Sequence, residues 1–143
     1  MLPRNRVRTL VFHRAVIAVL MAALVLSAFQ ARGEWMAVTT GTEPLTVYVD
    51  PETVTRAENH VTVWQLLDFK ITQTVGGKPY LSVKLRNEFD CGGKKTRILE
   101  MTHFSGNLGS GKVIATHATS QQWVPISPDT LALTVLTQLC EEH

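Results

Sequence analysis

The chain has 143 residues, 45% of them hydrophobic, and its 14 basic and 12 acidic side chains leave a formal charge of +2. Arg4, Arg6, Arg8 and Arg14 meet no acid in their own segment, so without them the balance is 10 basic against 12 acidic, or −2. A chain so near neutrality, with Arg56, Lys70, Lys78, Lys84 and Arg86 dispersed along it, lacks the long-range field that nucleic acid or an anionic membrane would need.

The first segment is a targeting signal. Four arginines precede an apolar run from Ala15 to Leu26 and the small residues Ser27 and Ala28. This pattern predicts a signal peptide over residues 1–28, cleaved after Ala28 or Ala31. The run is too short to span a bilayer comfortably, and no cysteine near the cleavage region offers a lipid attachment site. The expected product is exported, periplasmic or secreted to the cell surface, not lipidated, and without a transmembrane segment after cleavage. Roughly 112 to 115 residues remain, enough for one core, so residues 32–143 are expected to form a single domain.

Two-residue periodicity then dominates, broken by glycine-rich turns, which indicates antiparallel sheet. Strands are expected from Trp35 to Val38 and from Leu45 to Val49, followed by a turn at Asp50-Pro51-Glu52-Thr53. Val61, Val63, Leu67, Phe69 and Ile71 form an apolar face interrupted by Gln65, and Gly76-Gly77 supplies a hairpin loop. The clearest strand, Tyr80 to Phe89, sets Leu81, Val83, Leu85 and Phe89 against Ser82, Lys84, Arg86 and Glu88. It should pair with the strand before it. Further strands are expected from Thr96 to Phe104, from Val113 to His117 and at Trp123-Val124.

The period changes at the end of the chain. Ser127 is placed to cap a helix with Pro128 in its first turn and Asp129 favourable to the dipole. Ala132, Val135, Leu136, Leu139 and Cys140 make one apolar stripe. The fold class is therefore α+β, an antiparallel sheet of about six strands with one C-terminal helix packed on a face. Cys91 and Cys140 are the only cysteines, and in an oxidising compartment their pairing is the natural reading, tying helix to sheet. A metal site or a reactive thiol competes with it, but no second Cys or His sits at ligand spacing from either cysteine.

No catalytic or metal-binding set emerges. Gly106 to Lys112 fills the first seven positions of a phosphate-binding loop, yet Val113 stands where Ser or Thr must hold Mg²⁺, and β-branched residues follow where a helix must open. The segment reads as a hairpin turn. His103 and His117 flank that turn on what would be adjacent strands, so they could approach each other as metal or haem ligands; the plainer reading is partly exposed strand residues. His60 and His143 have no partner at useful spacing, and Asp50, Asp68, Glu88, Asp90 and Glu100 are scattered. Asp50 and Asp90 are expected to bond local backbone at strand ends. Lys94, Lys95 and Arg97 read as a solvated strand end. Trp35, Trp64 and Trp123 could anchor a binding surface, but are expected to pack in or beside the core between sheet and helix. The protein is expected not to be an enzyme.

In order, Trp35, Tyr48-Val49-Asp50-Pro51, Val63-Trp64, Phe89-Asp90-Cys91, Arg97, Phe104-Ser105-Gly106, Gly109-Ser110-Gly111, Trp123-Val124-Pro125 and Cys140 resemble the surface-adhesin protein E family of Gram-negative bacteria. The resemblance covers nearly all of the chain after the signal. It implies the same antiparallel sheet with a disulfide-held C-terminal helix, and an adhesin that binds host matrix or serum proteins, forms dimers and is associated with haem. This chain departs from the family pattern in lacking the lipid-attachment cysteine. Two functions follow as expectations: a non-enzymatic binding module, which a homodimer would suit, or a periplasmic structural or stress-related envelope protein.

Overall fold

The computed structural model describes residues 33–38, 44–118 and 121–141. The expected signal peptide, with its cleavage points at Ala28 and Ala31, lies outside them, as does His143. The strands are β1 (Met36–Ala37), β2 (Leu45–Val49), β3 (Thr55–Ala57), β4 (His60–Val75), β5 (Lys78–Asp90), β6 (Lys95–Phe104), β7 (Val113–His117) and β8 (Val124–Pro125), and one helix, α1 (Leu131–Glu141), follows. They form one sheet in the order β1-β2-β4-β5-β6-β7, with β3 on β4 and β8 on β6, and every pairing is antiparallel. No described helix is long and apolar enough to cross a membrane.

The spine is the β4–β5 hairpin. Gly76 (φ 55°) and Gly77 (φ 73°) occupy left-handed positions in its turn, where a side chain would be strained. Val61 faces Phe89, Val63 faces Asn87 and Gln65 faces Leu85, so alternate residues of both strands share one face. The stripe of α1 lies on that face: Val135, Leu136 and Leu139 are buried with Val47, Val49, Val61, Val63 and Phe89. Each fully buried side chain of this size contributes about 1.5–3 kcal/mol. Gln65 interrupts the apolar row without leaving it, because the Asn87 amide donates to its Oε1 at 3.0 Å and Thr96 donates to Asn87 at 2.7 Å. Two buried amides thus satisfy one another.

Covalent and polar ties hold the helix in place. Cys91, just past β5, is disulfide-bonded to Cys140 with 5.9 Å between Cα atoms. Arg56 of β3 donates from Nη1 to the Leu139 carbonyl at 2.6 Å, supplying a cation and a donor to the last turn of α1.

The helix begins later than its sequence suggests. Asp129 adopts φ 58°, outside helical geometry, and Thr130 takes over the cap expected of Ser127, accepting from the Leu133 amide at 3.3 Å. The strand expected from Trp35 to Val38 shortens to β1, and the piece at Trp123-Val124 is displaced by one residue to β8. Ile71 does not join the apolar face. The β4–β5 register slips between Asp68 and Gln73, and Ile71 ends 65% exposed.

Candidate functional site

All three tryptophans lie on the sheet face opposite α1. Val61 and Val63 occupy the helix side, so Trp64 between Val63 and Gln65 must point away from it, beside Arg86 on β5 and diagonal to Lys84. Met36 pairs with Val49, which places Trp35 on the same outer face. The Lys84 ammonium lies 4.7 Å from the Trp64 ring centre and 5.9 Å from that of Trp35. Further along, the Arg97 guanidinium stacks on Trp123 at 4.5 Å. Arg97 also binds Glu88 at 2.5 Å, while His60 approaches Glu88 at 3.6 Å and Trp123 at 5.1 Å between ring centres. The expectation that the tryptophans pack between sheet and helix is therefore corrected, and Arg97 is more than a solvated strand end.

Charge on this face is uneven. Glu88 is bound by Arg97, and Asp68 accepts from the Leu108 amide at 2.7 Å and from Asn107 Nδ2 at 3.1 Å. Among the described residues neither Lys84 nor Arg86 forms an ion pair, although Glu100 of β6 stands directly across from Arg86. The face therefore presents two cations with no carboxylate bound to them, next to partly exposed indole rings. Each exposed cation–π pair contributes about 0.5–1 kcal/mol and, more to the point, holds its side chains in one arrangement.

The glycine-rich segment closes the other end of this face. It connects β6 to β7 through a tight turn at Asn107–Gly109, with Leu108 (φ 52°), Gly109 (φ 71°) and Gly111 (φ 79°) in the left-handed region. Most of its amides are spent within the protein: Leu108 N on Asp68, Gly109 N on Ser82 Oγ at 2.9 Å, Ser110 N on the Asn107 carbonyl at 3.0 Å and Lys112 N on Ser105 Oγ at 2.9 Å. A phosphate would find no cradle of free N–H groups, and a strand rather than a helix follows. This agrees with the reading of a hairpin turn. Asp50 and Asp90 also behave as expected, accepting from the amides of Glu52 at 3.1 Å and Gly93 at 2.8 Å.

On the helix-bearing face, beyond the strip that α1 covers, His103 and His117 do approach each other, with ring centres 6.0 Å apart. His103 is only 7% exposed, lies edge-on to Tyr80 at 4.7 Å, and its Nδ1 has no hydrogen-bond partner. Burial pushes its pKa below the usual 6.5, a hydrogen bond between the ring and the Ala115 backbone opposes the shift, and the charge of His117 adds to it. Two recesses border α1. One of 480 Å³ runs between β1 and the end of the helix, lined by Met36, Val38, Val54 and Leu139. A smaller one of 220 Å³ lies under its start, lined by Leu67, Leu85, Ile98 and Leu131.

The family model of Surface-adhesin protein E matches residues 35–141. Among solved structures, crystal form II of Haemophilus influenzae protein E is similar at 13% identity and a TM-score of 0.60, over 78% of this chain and 91% of that one. A second structure of the same protein gives 13% identity and a TM-score of 0.57, over 78% and 87%. Protein E from non-typeable Haemophilus influenzae gives 14% and 0.53, over 79% of each chain. At these identities the likeness extends to the fold. No curated protein sequence matches.

Proposed function

Because the chain belongs to the surface-adhesin protein E family over residues 35–141, we propose that it is an exported, non-enzymatic binding module that attaches to a host matrix or serum protein through the helix-free face of its sheet. The signal peptide expected over residues 1–28 supports export, and the absence of a cysteine near its expected cleavage points supports release without a lipid. The observation that carries the binding face is the ordered stripe of Trp35, Lys84 and Trp64 with Trp123 and Arg97 beyond it. Tryptophan and arginine are the residues most often found to dominate protein–protein binding energy, since they bury large areas and keep a polar handle. Lys84, which makes no ion pair among the described residues and lies over both Trp35 and Trp64, favours an acidic group on the partner. A non-enzymatic role is supported by the dispersed carboxylates and by a glycine-rich turn most of whose amides are already used.

The test combines binding to an immobilised panel of matrix and serum proteins with protease treatment of intact cells. Binding that falls when Trp64 or Trp123 is changed to Ala, and loss of the protein from intact cells under protease, support the proposal. Silence toward the whole panel together with protection on intact cells would replace it with the periplasmic structural or stress-related role.

A further inference from the structure

We propose that Met101, His103 and His117 form a binding site for a soft monovalent cation, Cu(I) or its analogue Ag(I), on the helix-bearing face of the sheet where the helix no longer covers it. The site is on the opposite side from the tryptophan stripe and stands independently of the adhesive reading. Met101 of β6 pairs directly with His117 of β7, and such cross-strand partners have Cβ atoms about 4.5–5.5 Å apart. His103, two residues along the same strand, shares their face, and its ring centre lies 6.0 Å from that of His117. Two imidazoles that each bind one cation through a nitrogen at about 2.0 Å have ring centres about 5–6 Å apart, so the observed spacing needs little adjustment.

The donor chemistry selects the metal. Imidazole and thioether are neutral and comparatively soft, which favours Cu(I) over Ca²⁺, Mg²⁺ or Mn²⁺. Among the described residues no three His, Cys, Asp or Glu side chains gather into a metal site, so an anionic donor set for a hard divalent ion is not offered. No described cysteine is free to compete, because Cys91 and Cys140 are bonded to each other.

His103 Nδ1 supplies the second argument. A buried ring nitrogen without a partner costs stability and calls for an occupant, and a cation between the two histidines would accept its lone pair. His117 is exposed on the outermost strand and gives the cation a way in.

The test uses the purified, disulfide-bonded protein. Competition for Cu(I) against a chromogenic chelator should show one equivalent bound. Met101→Leu and His117→Gln should each weaken binding at least about tenfold, whereas His60→Gln on the other face should leave it unchanged. In the unmodified protein, Ag(I) should shift the Met101 methyl and the His103 and His117 ring resonances together, an outcome that does not depend on how a variant folds. No competition for Cu(I), equal affinity in both variants, an unmoved Met101 methyl, or Zn(II) held as tightly as Cu(I) would overturn the assignment.

Discussion

Removing the disulfide perturbs the join between helix and sheet without touching the tryptophan face. The bond closes a loop with a sequence separation of 49 residues. On the chain-entropy model a loop of about 50 residues restricts the unfolded chain by about 14 cal/mol/K, or about 4 kcal/mol at 25 °C. Native contacts that persist without the bond set what remains: Val135, Leu136 and Leu139 stay buried against Val49, Val63 and Phe89, and Arg56 still reaches the Leu139 carbonyl. The doubly substituted Cys91→Ser/Cys140→Ser protein should therefore fold, with stability reduced by about 2–4 kcal/mol in urea-induced unfolding followed by circular dichroism. The urea midpoint should fall accordingly, and α1 should exchange its amide hydrogens earlier than β4 and β5. A loss below about 0.5 kcal/mol, or uniform acceleration of exchange across sheet and helix, would refute the reasoning that this bond chiefly restrains the helix.

Arg56→Ala should cost about 1 kcal/mol, a figure kept low by solvent around the side chain, and thermal unfolding should register it; an unchanged midpoint would show that the helix end does not need this donor. The His103 ring, next to Tyr80 and His117, has its folded pKa below the unfolded value of 6.5. Its contribution is fully present above about pH 6.5 and is lost as pH falls through the lowered folded value, because protons then bind the unfolded chain more readily. His103→Gln should flatten the wild-type decline in stability below pH 6.5, measured by urea unfolding across the acid range, and an identical decline in both proteins would contradict the assignment. Lys112→Ala should leave the protein as indifferent to ATP-Mg²⁺ in calorimetry as before, since most amides of that turn are already bonded internally; nucleotide binding abolished by the substitution would reverse this.

Elements governed by local pattern were legible from residues alone. The β2 and β7 strands fall where alternation placed them, the Gly76-Gly77 turn joins the two longest strands, and the stripe from Ala132 to Cys140 does meet the sheet with its disulfide. Features set by long-range pairing were not. Nothing near Arg56 in sequence announces the helix end 83 residues away. Asp68 and Ser82 give no local sign that the glycine-rich turn will fold back and spend its amides on them. The size of the three tryptophans points to the core, whereas the sheet carries them on its outer face. The correcting signal was present in the alternation of Val61, Val63 and Gln65, which commits Trp64 to the outer face once those residues lie under the helix. The burial of His103 leaves no local mark in the sequence, because it comes from Tyr80 and the neighbouring strands, which only the register brings together.

The central claim is that a protein partner docks on the tryptophan face. The three tryptophans give three indole N–H signals in a ¹H–¹⁵N spectrum, each on the face in question. Titration with a matrix or serum protein that binds should shift or broaden the indole signals of Trp35, Trp64 and Trp123 while the methyl resonances of Val135 and Leu139, under the helix, move little. Binding that leaves all three indole signals in place and perturbs the helix side instead would contradict the account.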